Sequence, residues 1–362
     1  MSKHQIDKDR FKAWLGDGEE LAVLDIRQEE EVGYASPLFA TNLPAARLKS
    51  ELDRYVPRRS VRTVLVDDGS DIAERLVAEL RQDGWLNLHA LEGGIPAWIA
   101  DADDGLPTFD IPGVAFSAAV RDERGTPVTS PAELRRWTEE GIDVVIFDSR
   151  TLAEYEKGHV PDAIAVPGAE LLLRFADLVT DPKTRIVVSC AGLPRAILGA
   201  QTLIDSGIPN PVSYLDDGTR GWTDAGFALE TGRSRLYRPA SEAGRRFAED
   251  HAKRLSAYDD LTFVNYETAK AWTQDPSRTT YLLDVRTPEE YLAGHLPETI
   301  SAEGGQLLGV SYRTLAVRGA RVVLVDDLAG ARARTVAHWL KRRGFEIAIL
   351  LLEFNANGKV AA

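Results

Sequence analysis

Apolar positions along the chain gather into short uninterrupted runs, and the same order of runs appears three times. Val23-Leu24 leads into Asp25-Ile26-Arg27, Ile146-Phe147 into Asp148-Ser149-Arg150, and Leu282-Leu283 into Asp284-Val285-Arg286. Each reads as a buried strand closed by Asp-x-Arg. A second apolar run follows at 63–66, 186–189 and 322–325. Behind each lies a stretch with helical spacing of apolar residues, near 71–82, 195–206 and 331–343. Gly84, Gly207 and Gly344 stop these helices, as glycine does when the chain must turn left-handed. Strands alternating with helices predict α/β domains, each a mainly parallel sheet flanked by helices.

The three copies keep one register. Forty-two positions separate Asp25 from Asp67, Asp148 from Cys190, and Asp284 from Asp326. The copies therefore read as homologous units of roughly a hundred residues, an ordinary domain size. The expected boundaries are 1–110, 111–235 and 236–362. Linkers are expected at 101–131, rich in Asp, Gly and Pro, and at 231–260, charged and partly helical. The first copy closes with Gly93-Gly94-Ile95-Pro96-Ala97-Trp98 and the second with Asp217-Gly218-Thr219-Arg220-Gly221-Trp222. The third reaches Leu351-Leu352-Glu353-Phe354-Asn355 and stops soon after. Its last helix is then missing, or the natural chain continues.

Composition narrows the partners. Over 362 residues, 43 Lys and Arg stand against 56 Asp and Glu, a net charge of -13. Nucleic acid and anionic membranes call for the opposite sign, so neither is expected. No stretch has the length of a membrane span and the first twenty residues hold no apolar run, so a cytoplasmic protein is expected. The one cysteine, Cys190, cannot form an internal disulfide or a zinc finger. No cofactor and no metal is expected.

Further motifs join the repeats. Glu154-Tyr155 precedes Gly158-His159-Val160-Pro161, and Glu290-Tyr291 precedes Gly294-His295-Leu296-Pro297. With the Asp-x-Arg strand ends, the strand–Cys-loop–helix unit and the Gly-Gly-x-x-Ala-Trp closure, the chain resembles the rhodanese, or sulfurtransferase, family over nearly its whole length. The resemblance implies three tandem rhodanese-like domains and transfer of a sulfane sulfur through a cysteine persulfide.

Cys190 stands where a strand ends and a helix begins. Backbone N–H groups of such a loop converge beside the helix N-terminus, where they bind anions and favour a thiolate. Cys190 is thus the expected nucleophile, and Ala191, Gly192, Leu193, Arg195 and Ala196 the expected substrate-binding residues. Arg195 is expected as a cation at the rim, holding an anionic donor such as thiosulfate. The acceptor would be a thiol or cyanide, and a partner protein could carry the persulfide. The loop departs from the Cys-x-x-Gly-x-Arg form common in the family: glycine comes third, and Pro194 removes one N–H. Four residues between Cys190 and Arg195 make the loop one short of the Cys-x5-Arg phosphatase loop.

Copies one and three carry Asp67-Asp68 and Asp326-Asp327 at the cysteine position and are expected to be inactive, with these acids facing solvent at a helix start. Asp148 and Arg150 are expected to be structural, because Asp25/Arg27 and Asp284/Arg286 repeat the pair where no cysteine exists. The alternative to the enzyme is a non-catalytic tandem scaffold, or a persulfide carrier working with a partner enzyme.

Overall fold

The structure, a computed structural model, describes residues 4–32, 40–100 and 111–354. It forms three sheets flanked by helices, one per copy. In the second copy the order is Val128–Thr129, Val212–Leu215, Arg185–Ser189, Val144–Asp148, Ile164–Ala165, and every pairing is parallel. Successive residues of the central strand serve opposite faces. Ile186 and Val188 pack with Phe147, Leu171, Ile197 and Tyr214, whereas Val187 packs with Ile146, Tyr155, Leu215 and Trp222. A parallel sheet covered on both sides needs such continuously apolar strands.

The described residues fall into two compact units. One draws on the described residues of 1–111 with 267–281 and 310–322, the other on those of 112–266 with 282–309 and 323–354. In the first unit, Gln5–Ile6, Leu88–Leu91, Arg62–Val66 and Leu21–Asp25 run parallel, and Thr41–Asn42 also pairs with Leu21–Asp25. Val317–Arg318 adds antiparallel to Leu21–Asp25, so a segment numbered with the third copy finishes the first sheet. The third sheet has the order Thr262–Phe263, Glu346–Leu352, Arg321–Asp327, Thr280–Asp284, Ile300–Ser301.

The helices expected behind the second strands are Ile72–Gln82, Pro194–Asp205 and Ala331–Arg342. One expected linker differs: within 101–131 an α-helix covers Ile111–Arg124, its apolar positions reading as helix in spite of Pro112 and Gly113. Residues 101–110 and the chain after Phe354 lie outside the described residues. The second linker holds the helix Glu242–Asp259, capped by Ser241.

Candidate active site

Asp148 and Ser189 are in register at neighbouring strand ends, which brings the Asp-x-Arg corner and the cysteine loop together. Arg150 donates from Nε and Nη2 to Asp148 at 2.9 and 2.6 Å, and from Nη2 to the Gly158 carbonyl at 2.6 Å. Arg286 repeats this with Asp284 and Gly294, and Arg27 pairs with Asp25. His159 stacks on Tyr155 and His295 on Tyr291, with ring centroids 3.7 and 3.9 Å apart. These groups pin the corner in copies with and without a thiol, as a structural role requires.

Cys190 is buried, with 1% of its surface exposed. Its Sγ accepts from the Gly192 N–H at 3.4 Å, and the Ala196 N–H at the helix start also favours the thiolate. The Cys190 carbonyl accepts from Thr219 N–H at 2.8 Å. A side chain on Gly218 would place a Cβ 2.0 Å from that carbonyl oxygen. The closure motif therefore requires glycine where it crosses the loop. Gly94 does the same over Asp67 in copy one, where a Cβ would lie 2.6 Å from the carbonyl oxygen.

The electrostatics differ from the expectation of a lowered pKa. Burial pushes the Cys190 thiol up; Arg195 and the N–H groups of Gly192 and Ala196 oppose this without reversing it. A thiolate loses its hydration in an enclosed site, and two N–H groups with one shared cation replace only part of it.

Arg195 is likewise not at an open rim. Its side chain is 14% exposed, and Nη1 and Nη2 donate to Glu154 at 2.7 and 2.6 Å. Glu154 also accepts from the Thr151 N–H and hydroxyl in a capping box. Burial raises the Glu154 carboxyl, but the Arg195 hydrogen bond and charge outweigh it and hold the group at about 2. Copy three repeats the pair as Arg332 and Glu290. Sequence reasoning passed over Glu154 as a site residue. The available signal was its place six positions after the Asp in every copy: Glu31, Glu154 and Glu290.

Copy three also supplies the surroundings of Arg195. A Cβ on Gly309 would lie 3.2 Å from Arg195 Cγ. Glu303, near Arg195, Glu170, Glu154 and Glu289, is pushed up to about 7 by burial and by the neighbouring carboxylates. Buried Glu170 pairs with Arg174 and with Arg332.

The first acid of each sister loop is not solvent-facing as expected, whereas Asp68 is exposed. Asp67 is 4% and Asp326 0% exposed. Asp67 accepts from the N–H of Gly69 and of Ala73, both at 2.9 Å. Asp326 accepts from Asp327 N–H at 2.8 Å, Ala333 N–H at 2.9 Å and Arg332 Nε at 2.9 Å. Each carboxylate turns inward because the loop and helix start present N–H groups that lack intrahelical partners. Gly69 and Ala73 stand two and six positions after Asp67, as Gly192 and Ala196 do after Cys190. In copy three the N–H donors stand one and seven positions after Asp326, so each loop holds one acidic group at its strand end, with a shifted set of donors in copy three.

The rhodanese-like domain model matches residues 7–101, 130–225 and 265–355. The chain belongs to the rhodanese-like family. A crystal structure of thiosulfate sulfurtransferase from Pseudomonas aeruginosa is similar, with 40% identity and a TM-score of 0.87 over 96% of this chain. The rhodanese-like chain spans 66% of that protein. A curated relative, the HTH-type transcriptional regulator Rv0324 of Mycobacterium tuberculosis, is 32% identical over 158 residues, which is 43% of this chain and 68% of the relative. Among the described residues, no helix is long and apolar enough to cross a membrane, and no group of three or more His, Cys, Asp or Glu is placed to hold a metal.

Proposed function

We propose that the protein is a sulfurtransferase in which the second copy alone carries the chemistry, through Cys190. The observation that supports this most directly is the shared cradle: the loop that holds a carboxylate in copies one and three holds a thiol only in copy two. The Cys190 thiolate attacks the outer sulfur of thiosulfate or a related donor. The donor's S–S bond breaks, sulfite leaves, and Cys190 carries the sulfur as a persulfide. A thiolate or cyanide acceptor then attacks the outer sulfur, and the Cys190 thiolate returns. The protein undergoes no net redox change.

In this reading the N–H groups of Gly192 and Ala196 hold the persulfide anion. Ala191 and Leu193 complete the loop wall, and Arg195 contributes charge while tied to Glu154. Copies one and three, with a carboxylate in the cradle, take no sulfur. Because burial opposes ionisation of Cys190, deprotonation is part of the cost of the first step.

Incubation with thiosulfate followed by intact-mass measurement should show one added sulfur, and added cyanide should yield thiocyanate. Cys190→Ser should abolish both. A wild-type protein that gains no mass and forms no thiocyanate removes the thiosulfate reading. The second reading, a carrier or scaffold, draws support from the enclosed thiol and predicts loading only from a partner's persulfide.

A further inference from the structure

We propose that Arg220, held by Asp217, is the residue that recognises the anionic end of the sulfur donor at the mouth of the Cys190 loop. This rests on the sulfurtransferase reading and names the donor class: an anion small enough to reach Gly192. Arg195 was the expected anchor, but its guanidinium is enclosed and bound at both ends of its fork to Glu154. Arg220 differs in its exposure, although its Nε and Nη2 also pair with the two oxygens of Asp217. Its side chain is 65% exposed. A Cβ on Gly192 would lie 3.7 Å from Arg220 Nη2 and 3.6 Å from Asp217 Oδ1. Arg220 therefore stands directly over the loop glycine whose N–H meets Cys190 Sγ.

The backbone holds it there. Thr219 N–H is bound to the Cys190 carbonyl at 2.8 Å, so the next residue is fixed beside the loop. Arg220 Nε donates to Asp217 Oδ2 at 2.6 Å, and Asp217 itself adopts a left-handed conformation at φ 51°. The charges of Arg220 and Cys190 are also electrostatically coupled.

Copy one supplies the internal comparison. Counting back from Trp98 and Trp222, the residue that matches Arg220 is Pro96. A Cβ on Gly69 would lie 3.6 Å from Pro96 Cγ. The same position over the same loop glycine is thus an uncharged ring where the loop holds Asp67, and a guanidinium where it holds Cys190. In copy two a cation at this position faces a thiolate or an incoming anion, whereas in copy one the acid in the cradle, Asp67, is already held by the N–H groups of Gly69 and Ala73. A planar fork suits a sulfonate-like or carboxylate end. Asp217 competes with that anion for the same nitrogens, so it tunes the affinity downward.

The test uses two alkylating reagents of similar size on the full chain. The ratio of Cys190 alkylation rates for anionic iodoacetate over neutral iodoacetamide reads the charge at the mouth, whatever the fate of any sulfur. Arg220→Ala and Arg220→Gln should lower that ratio about three- to tenfold at low salt, and Asp217→Asn should raise it, with the effects shrinking as salt rises. In thiosulfate turnover, the Arg220 variants should raise KM several-fold with kcat nearly unchanged. An unchanged ratio in both Arg220 variants overturns the assignment, even if turnover is robust. Altered ratios with no sulfur transfer in the wild type would uphold the anion site and reject only thiosulfate as donor. Failure of both reagents to reach Cys190 in the wild type would overturn the proposal itself.

Discussion

Arg195 gives both terminal nitrogens of its guanidinium to the carboxylate of Glu154, at 2.7 and 2.6 Å. The pair ties the start of the helix after Cys190 to the capping box after Asp148, so it sets the loop between them. Arg195→Ala leaves Glu154 without its cation. We expect a loss of ~1–3 kcal/mol in urea unfolding, below the figure for a fully buried pair because Glu154 is 36% exposed. Glu154→Gln in that background should recover part of the loss. The sign with pH is fixed by the depressed carboxyl, about 2 against an ordinary 4.5. The unfolded chain binds more protons between these values, so this stabilisation is complete above the ordinary value and fades as pH falls toward 2. Arg195→Ala should flatten that acid slope.

The thiol should ionise late. Burial holds Cys190 above the ordinary thiol value, so its iodoacetamide rate should climb through alkaline pH with a midpoint above that of free cysteine. A plateau already reached at pH 7 would contradict this electrostatic picture. Glu154→Gln removes the anion that shares Arg195 and should shift the midpoint down.

The sister loops predict what copy two tolerates. Cys190→Asp should fold with stability within ~1 kcal/mol of wild type, because the Gly192 and Ala196 N–H groups can donate to the carboxylate as those of Gly69 and Ala73 do to Asp67. It should lose all sulfur loading. Cys190→Lys, which offers a cation to N–H donors, should be strongly destabilised. Thermal melts of the two variants, compared with Cys190→Ser, measure the difference.

Glu303 predicts a stability slope of opposite sign. Its carboxyl stands at about 7, raised by burial and by Glu170, Glu154 and Glu289, with Arg195 pulling the other way. Here the folded state binds more protons than the unfolded chain between about 4.5 and about 7. Stability therefore falls as pH rises through that window, by ~1–2 kcal/mol after allowance for partial exposure. Glu303→Gln should melt higher than wild type at pH 8 and equal to it at pH 4.5. Equal melting at both values would show that Glu303 is solvated.

Much of the frame was legible in the chain. Period and apolar runs marked the second strands and helices because those elements are buried through continuous local sequence, as in Arg185–Ser189 and Pro194–Asp205. Asp148 and Arg150 were legible as structural because the pair recurs without a cysteine. The helix Ile111–Arg124 was hidden by its Pro and Gly, which sit in its first turn, where they cost least.

The sequence by itself determined three homologous α/β copies, one thiol, and acids in the other two cradles, because repeat spacing and residue identity are properties of the chain alone. Only the tertiary structure decided which charges meet. It turned Asp67 and Asp326 inward, enclosed Arg195 against Glu154, and set Arg220 over Gly192. Those outcomes depend on which side chains lose water and which partners stand within hydrogen-bond reach across 41 residues, as for Arg195 and Glu154. A pattern of residue types carries no record of desolvation, and desolvation is the largest of the influences that push the Cys190 thiol up.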